Sequence, residues 1–125
     1  MAVPILKQGP FLIASIQSAL TDSDVLQLRD DVMAQVTRNR SRGIIVDVTS
    51  LDVMDSFVSR SLRSIAQMTR LRGAETVIVG IQPEVAFAMV QLGMNFEDVH
   101  TALDLEEGLA FLQQLLNGES DAGAA

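Results

Sequence analysis

The sequence predicts an α/β domain built on a mixed, mostly parallel sheet, and three observations carry that prediction. Short apolar runs at Phe11-Leu12-Ile13-Ala14-Ser15-Ile16, at Gly43 through Val48 and at Glu75-Thr76-Val77-Ile78-Val79-Gly80 read as buried strands. Stretches with helical period separate them, so the strands are joined by crossover helices and lie parallel. The opening runs flank Gln8-Gly9-Pro10, a tight turn that makes them an antiparallel hairpin at the sheet edge.

Taken in order, Val3-Pro4-Ile5-Leu6-Lys7 is the first strand, and its proline suits an edge where a missing N–H costs little. Thr21-Asp22-Ser23-Asp24 has the form of a capping box, a hydroxyl followed three residues later by a carboxylate. It opens a helix whose inner face is Val25, Leu28, Val32 and Val36, closed by Asn39-Arg40-Ser41-Arg42-Gly43. After the central strand, Asp55 caps a second helix with Val58, Leu62, Ile65, Met68 and Leu71 inward, ended by Gly73. Pro83 sits at the first turn of a short helix over 84–92. His100-Thr101-Ala102 is a small strand, and Asp104-Leu105-Glu106-Glu107 starts a fourth helix with Leu105, Leu109, Leu112 and Leu116 inward. The expected organisation is one domain over 1–117, packed with about four helices, and a flexible tail over 118–125.

Composition narrows the function. The 125 residues are 48% apolar, enough for a core, yet include only five Phe and no Trp or Tyr, so aliphatic side chains must fill it. Cysteine is absent, which excludes thiol chemistry and cysteine-ligated metal and suits a reducing compartment. No apolar run approaches the roughly 18 residues that span a membrane, and the N-terminus lacks a signal-peptide pattern. The expectation is a cytoplasmic protein with no membrane partner. Asp and Glu outnumber Lys and Arg 16 to 9, a net charge of −7, so the chain is a poor match for nucleic-acid phosphates. The basic stretch Arg60 to Arg72 reads as a solvated helix face.

Catalytic constellations are missing as well. His100 is the sole histidine, with no carboxylate or second histidine at ligand spacing in sequence. Ser56 lacks the flanking glycines of a nucleophile elbow, and no glycine-rich phosphate loop follows a strand. Asp47, Asp52 and Asp55 cluster after the central strand, but an acidic phosphoacceptor pocket also needs a late lysine, and Lys7 is the only one. The sequence reads as a non-enzyme, with no catalytic residue, cofactor or metal.

Attention falls on Met54-Asp55-Ser56-Phe57. Ser56 occupies the first helical position, where unpaired N–H groups tolerate an added phosphate. Arg60 and Arg63, four and seven residues on, project from the same side, whereas Asp55 repels new negative charge. On spacing alone Asp55-Ser56 is also simply a helix-capping pair, and both readings stay open.

These residues, together with Pro4-Ile5-Leu6-Lys7, Ile45-Val46-Asp47-Val48-Thr49-Ser50, Gly80-Ile81-Gln82-Pro83 and Thr101-Ala102-Leu103-Asp104-Leu105-Glu106, resemble the STAS domains of anti-sigma-factor antagonists. The similarity spans roughly 3–116 and is greatest to the RsbS-type scaffolds of bacterial stressosomes. The resemblance implies a scaffold and partner switch that sequesters an RsbT-like serine kinase and releases it when Ser56 is phosphorylated. It further implies an RsbX-like phosphatase, RsbR-like STAS paralogues in a large assembly, and a homo-oligomer. Asp55, Phe57, Arg60 and Arg63 are then the candidates for kinase contact or phosphate neighbourhood. Ala88 stands where the RsbR-type paralogues carry a second phosphorylatable threonine, so a single site is expected. Ser59 adds a hydroxyl where relatives tend to have a small apolar residue and is the rival acceptor. The alternatives are a stand-alone anti-sigma-factor antagonist and a small-ligand-binding STAS module.

Overall fold

The computed structural model describes residues 3–93, 96 and 99–124, with side chains through Gly118. Strand β1 (Ile5–Gln8) and β2 (Phe11–Ser15) form the hairpin, followed by α1 (Asp22–Asn39), β3 (Gly43–Asp47), α2 (Ser56–Leu71), β4 (Glu75–Val79), α3 (Pro83–Gln91), β5 (His100–Ala102) and α4 (Leu105–Ala124). The sheet order β1-β2-β3-β4-β5 is the chain order. β1 lies antiparallel to β2, and every later pair is parallel.

Alternation along the strands divides the interior in two. Leu12, Ala14, Ile44, Val46 and Ile78 face one side, where α1, α2 and α3 supply Val25, Leu28, Leu62, Ile65, Val85 and Met89. Phe11, Ile13, Ile45, Val77 and Val79 face the other, which α4 covers with Leu112 at its centre. α4 lies close because Gly108 has no side chain; a Cβ there would stand 2.8 Å from Val79 Cγ1. Each buried aliphatic side chain is worth roughly 1.5–3 kcal/mol, so both faces contribute materially to holding the sheet.

The capping box forms as the sequence predicts, with Thr21 and Asp24 exchanging backbone and side-chain bonds of 3.0 and 3.1 Å. Val25, Leu28, Val32 and Val36 are the buried face of α1. α2 differs from its expected face: Leu71 is 88% exposed and Met68 36%, while Ser59, Ala66 and Thr69 turn inward. The reason is helical phase. At about 100° per residue, Thr69 returns to within about 20° of Val58, whereas Leu71 lies about 140° away. Thr69 is accommodated because its hydroxyl meets that of Thr76 on β4 at 2.9 Å. The segment 118–125, expected as a tail beyond the domain, continues the α4 backbone through Ala124; Ala125 lies outside the described residues.

Candidate functional site

The loop between β3 and α2 is fixed by hydrogen bonds at both ends. Asp47 Oδ1 accepts from the Thr49 backbone N–H at 2.9 Å and from the Thr49 hydroxyl at 2.6 Å, closing the turn that leaves the strand. The Val48 N–H donates to the Val79 carbonyl at 3.0 Å, and Leu51 N–H to the Val48 carbonyl at 3.0 Å. Buried Leu51 and Met54 anchor the segment, so Asp52 and Val53 between them stay at the surface. The β4–α3 loop braces it from the side: Gln82 Nε2 donates to the Thr49 carbonyl at 2.7 Å. Gly80, at φ +80°, lies directly beneath Thr49, and any Cβ there would run into the Thr49 hydroxyl.

On this platform Asp55 ends the extended segment at φ −76°, ψ 174°, and its Oδ1 accepts from the Val58 N–H at 2.8 Å. Ser56 is the first residue of α2 and is exposed. Phe57 is half-buried against the core, which fixes the azimuth of the helix and turns Ser56 outward. Arg60 Nε donates to the Ser56 carbonyl oxygen at 3.3 Å, so its guanidinium already sits beside the serine. Arg63, half-buried, lies one turn further; Ser56, Arg60 and Arg63 fall within about 60° around the helix axis. Ser59 lies about 60° further round the helix, where α2 turns onto the core. It is 4% exposed, and its hydroxyl finds no hydrogen-bond partner among the described residues.

A shallow groove of about 280 Å³ runs between α1 and α2 beside this helix start. Leu26, Arg29, Phe57, Arg60, Ser61 and Ser64 line it. The groove has an apolar floor with arginines and hydroxyls at its rim.

The other polar groups do not join Ser56. Asp47 and Asp55 spend their carboxylates on neighbouring backbone, and no group of three potential metal ligands exists among the described residues. His100 does have a carboxylate close by in space, unlike in sequence: its Nε2 is 3.2 Å from Glu75 Oε2, and its ring tilts on Phe111 at 4.7 Å. Glu75 opens β4, at the end of that strand away from the Gly80 turn, so the histidine is remote from the serine. Thr49, Gly80 and Gln82 are the contributors that sequence reasoning did not assign a role. The signal for Gly80 and Gln82 was the Gly80-Ile81-Gln82-Pro83 string, in which glycine and proline mark a special turn without naming its contact with Thr49.

Comparison with known proteins settles the family. The STAS domain model matches residues 2–108. The chain belongs to the STAS domain family. Within it, this STAS domain is 29% identical over 83 residues to the RsbT co-antagonist protein RsbRA of Bacillus subtilis, covering 66% of this chain and 30% of that protein. The chain thus spans about a third or less of the RsbR-type relatives it matches. A serine-to-glutamate variant of Moorella thermoacetica RsbS superposes with a TM-score of 0.80 at 33% identity, covering 92% of this chain and 97% of that one. A chain from the stressosome, a signal integration and transduction hub, superposes with a TM-score of 0.74 at 31% identity, over 90% and 98% of the two chains. The fold is that of a stressosome STAS domain, and no helix among the described residues is long and apolar enough to cross a membrane.

Proposed function

We propose that this chain is a non-catalytic scaffold and partner switch of a cytoplasmic stress-signalling assembly. In this reading it holds an RsbT-like serine kinase and releases it when Ser56 is phosphorylated. The observation that carries the proposal is the presentation of Ser56: an exposed hydroxyl at the first position of a rigidly seated helix, with an arginine one turn away. The names of the RsbR-type relatives, which are RsbT co-antagonists, and the high structural similarity to RsbS support it.

The electrostatics give the switch its direction. A phosphate adds roughly −1.5 to −2 charges and three strong acceptors. Arg60 and the free amides of the first turn attract it, and Asp55, whose carboxylate already occupies the Val58 amide, repels it. The modified surface therefore carries excess negative charge beside the α1–α2 groove, and a kinase docked over Phe57 and Arg60 is expelled. An RsbX-like phosphatase restores the docking surface, and RsbR-like STAS paralogues complete the assembly, in which this chain also meets copies of itself. Ser59 is not a competing acceptor in this reading, because a kinase reaches its hydroxyl only by unseating α2 from the core.

Phosphopeptide mapping of the protein from its own cells, before and after stress, tests this directly. The expected result is one stress-dependent phosphate, on Ser56. Ser56→Ala should bind the kinase and fail to release it when ATP is added, and Ser56→Asp should bind it more weakly than the wild type. Equal kinase affinity for the unmodified and fully phosphorylated forms would refute the switch.

A further inference from the structure

The opposite end of α2 carries a second site. The parallel pairing of β3 and β4, in register Gly43↔Glu75, draws the segment after α1 alongside the segment after α2. Arg42 is fixed there by its backbone, donating to the Pro10 carbonyl at 2.8 Å and accepting from Glu75 N–H at 3.1 Å. Between the two segments lies an open surface cavity of about 400 Å³ lined by Thr37, Arg40, Ser41, Arg42 and Arg72, whose arginines are exposed to solvent. Three arginines thus share one concavity, and no carboxylate lines it. In a chain of net charge −7 this is a local inversion of sign.

Two details show the arrangement to be more than helix-end chemistry. Helix C-termini attract cations, which accounts for one arginine at each end, not for three around a single cavity. Arg40 is moreover the C-cap of α1 in the left-handed conformation, φ 51°, ψ 44°, and is the one non-glycine residue with positive φ among those described. Glycine or asparagine is favoured at such a position, and a longer side chain there is strained. Arg72 leans over the cavity with Nη2 3.5 Å from Thr37 Oγ1, whose own proton goes to the Met33 carbonyl at 2.9 Å.

We propose that this cavity binds the polyphosphate group of a small molecule. Planar guanidinium forks match phosphate oxygens bidentately, and about 400 Å³ falls within the range of small-molecule sites. The site is independent of the phosphorylation switch: α2 is 16 residues long, so Ser56 and Arg72 stand roughly 24 Å apart.

Calorimetric titration of the full chain at low salt, with inorganic tripolyphosphate and with ATP, tests the assignment. Saturable binding tighter than about 1 mM is expected for at least one probe. Arg40→Gly and Arg72→Gln should each weaken it at least about tenfold, as for the loss of a charged hydrogen-bond donor. Arg38→Gln, a neighbouring surface arginine outside the cavity, and Ser56→Ala should leave it unchanged. Arg40→Gly also relieves the left-handed cap, so its melting temperature should stay level or rise while binding falls, which separates lost recognition from lost folding. ATP binding more tightly than tripolyphosphate would identify a nucleotide; equal affinities would identify the phosphate chain alone. Absence of saturable binding by both probes, or wild-type affinity in both arginine variants, would overturn the proposal.

Discussion

The two ends of α2 are built in different ways. At its start a carboxylate caps the helix, a serine faces solvent, and the preceding loop is held by Asp47, Gln82 and the tight fit of Gly80 under Thr49. At its end Arg72 converges with Arg40 and Arg42 around a cavity. At the first end the cap, the serine and its nearest arginine come from one short stretch of chain that the β4–α3 loop braces; at the second the arginines meet only because β3 and β4 pair. The difference teaches that the two ends of one helix can be organised by contacts of different range while sharing one buried stripe.

Cutting that stripe should have the largest effect. Leu62, 1% exposed at the middle of α2, is the shared support, and Leu62→Ala is expected to cost about 2–5 kcal/mol in urea unfolding. Amide exchange should then rise at both ends together; a rise at one end alone would mean that the ends fold separately. Asp55→Ala sharpens the contrast by acting on one end. Loss of the cap should cost about 0.5–2 kcal/mol and speed exchange of the Val58 amide, with the amides around Arg72 unaffected. The smallest effect is expected from Leu71→Gln. Its side chain is almost wholly in water, so the melting temperature should hardly move, within about 0.5 kcal/mol of wild type. A larger loss would show that the apolar spacing, and not the observed helical phase, describes the buried face.

The contrast also explains what could be read from the sequence. Local grammar was legible: the Thr21–Asp24 box, the Asp55 cap, the Val25-Leu28-Val32-Val36 stripe and the hairpin turn all depend on residues a few positions apart. The position of Ser56 at the helix mouth was legible for the same reason. Hydropathy misassigned Met68 and Leu71, because it counts apolar residues and not the angle at which the helix meets the sheet. It likewise could not reveal that Ser59 is enclosed. The arginine cavity was invisible because Arg40 and Arg72 are far apart in the chain, and Arg60 to Arg72 alone has the look of a solvated face. The Glu75–His100 pair was hidden in the same way, needing the β4–β5 register to bring it together.

The identity of sheet order and chain order has a consequence for how the protein is made. Each parallel strand finds its neighbour immediately upstream, so a chain emerging from the ribosome extends its sheet one crossover at a time, although each parallel pairing must first close a long loop and is slow for that reason. The α1–α2–α3 side can close as it is synthesised. The side formed by Phe11, Ile13, Ile45, Val77 and Val79 must wait for α4, the last element, whose approach depends on Gly108. Until then a half-covered sheet is exposed to neighbouring nascent chains. Docking of α4 therefore sets the moment at which this apolar face of the sheet is withdrawn from solvent.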